Sequence, residues 1–326
     1  RRDGLDPLPE LLRLSNETPL CPGGGAADWL VTGRAEARAV LGDAVRFTAK
    51  PPDLERAVSR GAREAGNLLH YDPPEHTRLR KLLAPEFTPR RMRRMEPIVE
   101  GIVAERLDAL AAAGSPADFM RHCGWSVPGL TICALLGIPR DDLADLGRML
   151  DVRAPSRLDA HSGVRSRKRV AAQKAYTSYM RGIVARQRRS PGEDMLGMLV
   201  REHGDDITDD ELVGVCASFV AGGLENSAQL LGLGLLALLR HPDQLALLRE
   251  RPQELVGRAV EELLRYTAVV STASPRTALE DVTIGGQRIK AGQVVDCSLV
   301  AVNRARPAGA PPDRLDITRE DTAHVA

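Results

Sequence analysis

Apolar residues along the chain recur mainly at helical spacing, and the longest such stretch runs from Thr208 to Arg240. Thr208 followed by Glu211 has the form of a capping box, and Arg240 stands before His241-Pro242, a helix breaker. The pattern predicts one long helix, roughly 50 Å at 1.5 Å per residue, running through a core. Leu230, Leu231, Leu233, Leu235, Leu236 and Leu238 predict that little of its C-terminal half meets water. The polar break at Gly222, Gly223, Glu225, Asn226, Ser227 and Gln229 is too early in the apolar run for a membrane span. Adjacent glycines cost about 1 kcal/mol each against alanine in a helix interior. Two readings of this break stand. It is either a kink with a satisfied polar cluster or a groove over a flat ligand, in which a carboxylate and an amide manage water and protons.

The remaining elements follow from the same signals. Trp29–Thr32 reads as a strand and Arg34–Leu41 as a short helix. In Tyr71-Asp72-Pro73-Pro74-Glu75-His76, Asp72 is the predicted cap and Pro73 the first helical residue. His76 and Arg80, four apart, share a face of that helix, either as a clamp for a carboxylate or phosphate or as a solvated basic face. A helix from Thr88-Pro89 to about Ala113 carries Arg90, Arg91, Arg93 and Arg94 toward solvent. An apolar helix spans Ser126–Leu136, and Arg165–Arg189 reads as a basic, mobile surface helix that includes Tyr176 and Tyr179. Helices start at Pro242 and Pro252. Glu262 and Arg265, on the second of these, are close enough to pair. Strands follow at Val282–Ile284, Gln287–Ile289 and Gln293–Leu299, the first two joined by a Gly285-Gly286 turn. The pattern is mainly α with small β elements, in one domain over residues 1–326.

Composition narrows the class. Lys and Arg total 45 against 44 Asp and Glu, a net charge of +1, so no global field points to nucleic acid or membrane. Aromatics at 3% do not furnish stacking platforms for single strands. Cys21, Cys123, Cys133, Cys216 and Cys297 form no CxxC pair and predict neither a zinc site nor a disulfide framework, which suits a reducing cytoplasm.

The segments HYDPPEHTRLRKLL, AGGLENS, EELLR and SPRTALEDVTIGGQRIKAGQVV, in that order and spacing, resemble a bacterial cytochrome P-450, a heme-thiolate monooxygenase. The resemblance implies the cytochrome P-450 fold, α-rich with small sheets, and heme b as cofactor. It places His76, Arg80 and Arg276 on the heme propionates, Gly222 and Gly223 beside the heme, and Glu262 with Arg265 as the pair supporting the loop beneath it. Glu225, Asn226 and Ser227 fall at the family's acid-alcohol position over the heme. The family usually has threonine where Asn226 stands, and Asn-Arg-Asp where this chain has Asn303-Arg304-Ala305, so a local weakness is expected there.

The resemblance also implies a Phe-Gly-x-Gly-x-His-x-Cys loop immediately after Ala326. With Arg1-Arg2 in place of an initiator methionine, the chain is therefore expected to be incomplete at both ends, to lack the thiolate, and to be inactive as a 326-residue chain. No metal ligand is assigned among its residues. The expected function is oxidation of a hydrophobic natural-product intermediate, macrolide-like or peptide-derived. Electrons would come from a ferredoxin and its reductase, with Arg78 and Lys81 as docking cations or as a plain solvated face. The alternatives are a heme-free helper that binds a partner enzyme such as a glycosyltransferase, and a degenerate reading frame.

Overall fold

The computed structural model describes residues 2–3, 5–7, 9–25, 27–50, 65–153, 167–305, 313–320 and 324–325, which fall into two compact units. One unit comprises the described residues within 1–62, 69–73 and 229–326. In it, strands β1 (Arg2–Asp3) and β2 (Asp6–Pro7) pair as a short hairpin. Strands β3 (Leu20–Pro22), β4 (Trp29–Val31), β5 (Phe47–Thr48), β6 (Arg276–Ala278) and β9 (Val294–Cys297) form one sheet in the order β3-β4-β9-β6-β5. Among the described residues only β4 and β9 run parallel, with Trp29 opposite Val295. Strands β7 (Val282–Ile284) and β8 (Gln287–Ile289) form the predicted hairpin, turned by Gly285 and Gly286 at φ 53 and 79, where glycine avoids the Cβ penalty.

Two apolar cores hold this unit. Leu20, Val31, Val40, Phe47, Ile284, Ile289, Val295 and Cys297 join the sheet to the helix Arg34–Leu41. Leu5, Ala237, Leu238, Leu255, Ala259, Tyr266, Leu315 and Ile317 form the second, around the helix Pro252–Thr267. Strand β9 is shorter than its apolar run predicts, because the Ser298 side chain accepts from Ala301 N and caps a helix over Leu299–Arg304.

The other unit, the described residues within 63–68 and 74–228, is helical. The helix Ser126–Leu136 matches its prediction and ends on Gly137 at φ 64. The predicted helix from Thr88 to Ala113 is two helices, Pro89–Met92 and Glu96–Ala112, with a turn between. Arg91 in the first is no solvent residue, since it pairs with buried Glu86 and with Glu202. The helix Arg167–Arg189 is amphipathic rather than a surface helix; residues 165–166 of its predicted span lie outside the described residues. Tyr176, Met180, Ile183 and Val184, at helical spacing, are buried, and Tyr176 Oη donates to Ala217 O at 3.1 Å. Arginines at both ends masked this face in the sequence.

The long helix spans Asp209–Arg240. Its capping box forms as predicted: Glu211 N donates to Thr208 Oγ1 at 3.2 Å, and Thr208 N donates to Glu211 Oε2 at 2.9 Å. Residues 209–228 belong to the second unit and 229–240 to the first. Burial within it differs from expectation. Leu212–Ala217 form a continuous buried run, whereas Leu231, Leu236 and Leu239 are exposed.

Candidate functional site

The helix Glu75–Leu83 carries His76 and Arg80. It starts two residues later than predicted, after Pro74, and Asp72 does not cap it. The Asp72 carboxylate instead accepts from Ala49 N at 2.8 Å and from Thr48 Oγ1, so strand β5 claims the side chain first. Leu79 and Leu83 are buried and seat the helix. His76 is half-buried and Arg80 exposed, and among the described residues neither side chain makes a hydrogen bond or ion pair. Arg78 faces away from both, about 160° around the helix at 100° per residue. It pairs with Glu211 and donates from Nη1 to Asp206 O at 2.9 Å.

On the long helix, Gly222–Ser227 causes no break, since the helix is continuous through it. The satisfied polar cluster of the first reading does not form among the described residues. Gly222, Glu225, Asn226 and Ser227 are exposed, and these three polar side chains have no partner among the described residues. A Cβ on Gly222 would meet nothing within 4 Å, whereas one on Gly223 would lie 3.1 Å from Ile132 Cδ1. The two glycines thus do different work. Gly223 admits a neighbouring helix, and Gly222 keeps an open face bare of side chain.

Two turns earlier the helix is crossed backbone to backbone. A Cβ on Gly214 would lie 1.5 Å from Ala65 O, and one on Gly66, at φ +85, would lie 2.0 Å from Glu211 O. Only glycine at both positions permits this approach. Sequence reading missed the crossing because no spacing rule relates residues so far apart.

Arg276 lies in the other unit, on β6, where Nη1 donates to Ser274 O at 2.9 Å and to Pro275 O at 3.4 Å. In the same unit Glu262 and Arg265 form the predicted pair, bidentate and buried. Arg265 Nε donates to Oε2 at 2.7 Å and Nη2 to Oε1 at 2.8 Å. Arg265 Nη1 also donates to Asn303 O at 3.0 Å, and Glu262 Oε1 accepts from Asp316 N at 2.9 Å. A second guanidinium, Arg319, lies 3.3 Å from Glu262 Oε2. No local signal marks Arg319, which is distant in the chain and outside any periodic pattern. Beside this cluster Arg304 is buried with its guanidinium 3.7 Å from the Tyr266 ring centroid, and Nη2 donates to Tyr266 O at 3.0 Å. Burial lowers its pKa from the ordinary arginine value. Asn303 Oδ1 accepts from Val325 N at 2.9 Å, and its buried Nδ2 has no partner among the described residues.

All five cysteines are buried. Burial pushes the thiols of Cys216 and Cys297 up to about 12 and that of Cys133 up to about 11, the opposite of the lowered pKa that a thiolate ligand requires. Among the described residues no cluster of three or more His, Cys, Asp or Glu is arranged to hold a metal. No helix among them is long and apolar enough to cross a membrane.

The mainly helical architecture with small sheets is the fold that the resemblance to a cytochrome P-450 implies, and the buried Glu262–Arg265 pair stands where that resemblance places it. The comparisons with known proteins make the assignment firm. The cytochrome P450 family profile matches residues 166–319. Cytochrome P450 165B3 of Amycolatopsis orientalis is 44% identical over 336 residues, covering 100% of this chain and 82% of that protein. The crystal structure of OxyE, a cytochrome P450 involved in teicoplanin biosynthesis, superposes with a TM-score of 0.86 at 42% identity, covering 99% of this chain and 82% of that one. A complex of the X-domain and OxyB from teicoplanin biosynthesis gives a TM-score of 0.85 at 44% identity, covering 100% and 82%. The chain belongs to the cytochrome P450 family, whose cofactor is heme and whose members are oxidoreductases.

Proposed function

We propose that this protein is a monooxygenase of antibiotic-type natural-product biosynthesis, acting in the cytoplasm on a hydrophobic, peptide-derived intermediate. The observation that carries this reading is the whole-length likeness to OxyE and to the OxyB of the X-domain complex, both from teicoplanin biosynthesis, at 42% and 44% identity. When bound, heme supplies the redox chemistry that inserts one atom of dioxygen into a substrate.

The residues present fit that group. His76 and Arg80 are cationic or hydrogen-bonding groups with no partner of their own among the described residues, as propionate carboxylates require. Arg276 would be a third propionate partner. Gly222 leaves room beside the long helix. The iron's thiolate is not assigned to any of the five cysteines, whose raised pKa values disfavour it. Glu225 is the carboxylate of the polar trio and can exchange a proton. Asn226 both donates and accepts but does not titrate, so it orients water rather than releasing a proton, and the Ser227 hydroxyl can relay one. Glu262 and Arg265, with Arg319, hold the end of the helix Leu299–Arg304 at Asn303 and the segment around Arg314 and Asp316.

Electrons would come from a ferredoxin and its reductase. Arg78 is withdrawn from the docking role by its pair with Glu211, whereas Lys81, Arg90, Arg93 and Arg94 are exposed and unpaired among the described residues. The test is heme content and the reduced carbon monoxide spectrum of the holoprotein, compared with a His76→Ala/Arg80→Ala variant. Lowered heme occupancy in the variant is expected. Parental occupancy in the variant would remove these two residues from the propionate assignment.

A further inference from the structure

The geometry points to Arg78 as a positioning residue for the propionate partners His76 and Arg80; this rests on the function proposed above. Three observations carry it. First, Arg78 stands on the opposite side of the Glu75–Leu83 helix from His76 and Arg80, so it can hold the helix from behind without touching what they bind. Second, its guanidinium makes two distinct contacts at the start of the long helix: an ion pair with the Glu211 carboxylate and a hydrogen bond to Asp206 O at 2.9 Å. A planar fork with two fixed acceptors sets orientation as well as distance. Third, its partner is itself fixed. Glu211 closes the capping box with Thr208, its side chain is only 14% exposed, and its backbone carbonyl is pressed by Gly66. The long helix is also the element that carries Gly222–Ser227. One side chain therefore ties the His76–Arg80 helix to the helix bearing the polar trio.

Other ion pairs reach the same turn without this consequence. Arg181 pairs with Asp210 at 3.1 Å, and Arg188 pairs with Asp209 at 2.8 Å. Both come from the helix Arg167–Arg189, which carries no candidate ligand group.

The experiment measures the rate at which the holoprotein loses heme to apomyoglobin in Arg78→Gln, Glu211→Gln and the double variant. Glutamine serves at the capping-box position, so Glu211→Gln keeps the helix start while removing the charge. Each single variant is expected to speed heme loss about three- to five-fold, on the scale of a partly exposed pair reinforced by a second bond. The double variant should be no faster than Arg78→Gln, because the pair with Glu211 is already lost in that single variant. Arg78→Lys should restore at least half of the change on a logarithmic scale, and added salt should narrow the gap between parent and Arg78→Gln. Arg181→Gln, as the control, should lose heme at the parental rate. The inference is overturned by a parental rate in Arg78→Gln, by single effects that sum in the double variant, or by an equal effect from Arg181→Gln. A parental rate in His76→Ala/Arg80→Ala would instead overturn the propionate reading on which it rests, a distinct result.

Discussion

At the scale of single residues, the buried thiols couple stability to alkaline pH. Cys133, Cys216 and Cys297 have folded pKa values raised to between about 11 and about 12, mainly because burial penalises the thiolate. In the unfolded chain they ionise near pH 8.5. A raised folded pKa gives stability that is complete below the unfolded value and is lost as pH climbs toward the folded value. Each thiol should therefore remove about 1.4 kcal/mol per pH unit between roughly pH 9 and 11. Urea midpoints measured across that range should fall, and Cys216→Ala should flatten the slope by at most about one third, since Cys21 and Cys123 are also raised by burial. The Glu262 cluster gives a second residue-scale prediction. Glu262→Gln leaves Arg265 and Arg319 buried with no carboxylate between them, and unfolding free energy should drop by about 3–5 kcal/mol. Arg265→Lys should be damaging too, since an ammonium cannot make the bidentate contact.

At the scale of elements, the long helix separates two kinds of glycine. Gly222→Ala meets open space in a helix interior and should stabilise the protein by about 0.5–1 kcal/mol. Under the proposed function the same methyl narrows the bared face and should lower heme occupancy, so stability and cofactor retention move in opposite directions. Gly214→Ala drives a methyl into Ala65 O and should destabilise by about 1–3 kcal/mol. Thermal unfolding with heme quantitation distinguishes the pair. The long helix was legible in the sequence because its cap, length and stop are local signals, and Glu262–Arg265 because three residues is a helical neighbour distance. What was not legible lay in contacts distant along the chain. Asp72 reads as a cap, yet Thr48 and Ala49 take its carboxylate; Arg78 reads as a surface cation, yet Glu211 takes its charge. The buried face of Arg167–Arg189 was hidden because its basic ends outweighed Tyr176, Met180, Ile183 and Val184 in composition.

At the scale of the whole molecule, a net charge of +1 leaves little long-range field, so charged partners must be guided by local groups. Lys81, Arg90, Arg93 and Arg94 are exposed cations with no partner among the described residues. Reduction of the holoprotein by an acidic ferredoxin should slow several-fold as ionic strength rises from 0.01 to 0.15 M, where the Debye length contracts from about 30 to about 8 Å. Replacing Arg93 and Arg94 by glutamine should weaken that salt dependence while leaving the unfolding temperature unchanged, measured by stopped-flow reduction beside a thermal melt. An unaltered salt profile in that variant would direct the search for the docking face elsewhere.

The crossing of Ala65–Gly66 over Gly214 fixes the course of a loop by main chain alone. The approach depends on the two glycines, because a Cβ on either would collide with the backbone opposite. A library that keeps Gly66 and Gly214 would leave this close approach of the two main chains intact. A library that randomises either glycine would change the backbone first and the chemistry second. The two glycines thus act as a fixed joint around which sequence can drift, and they mark where redesign of this loop can begin without rebuilding the helix beneath it.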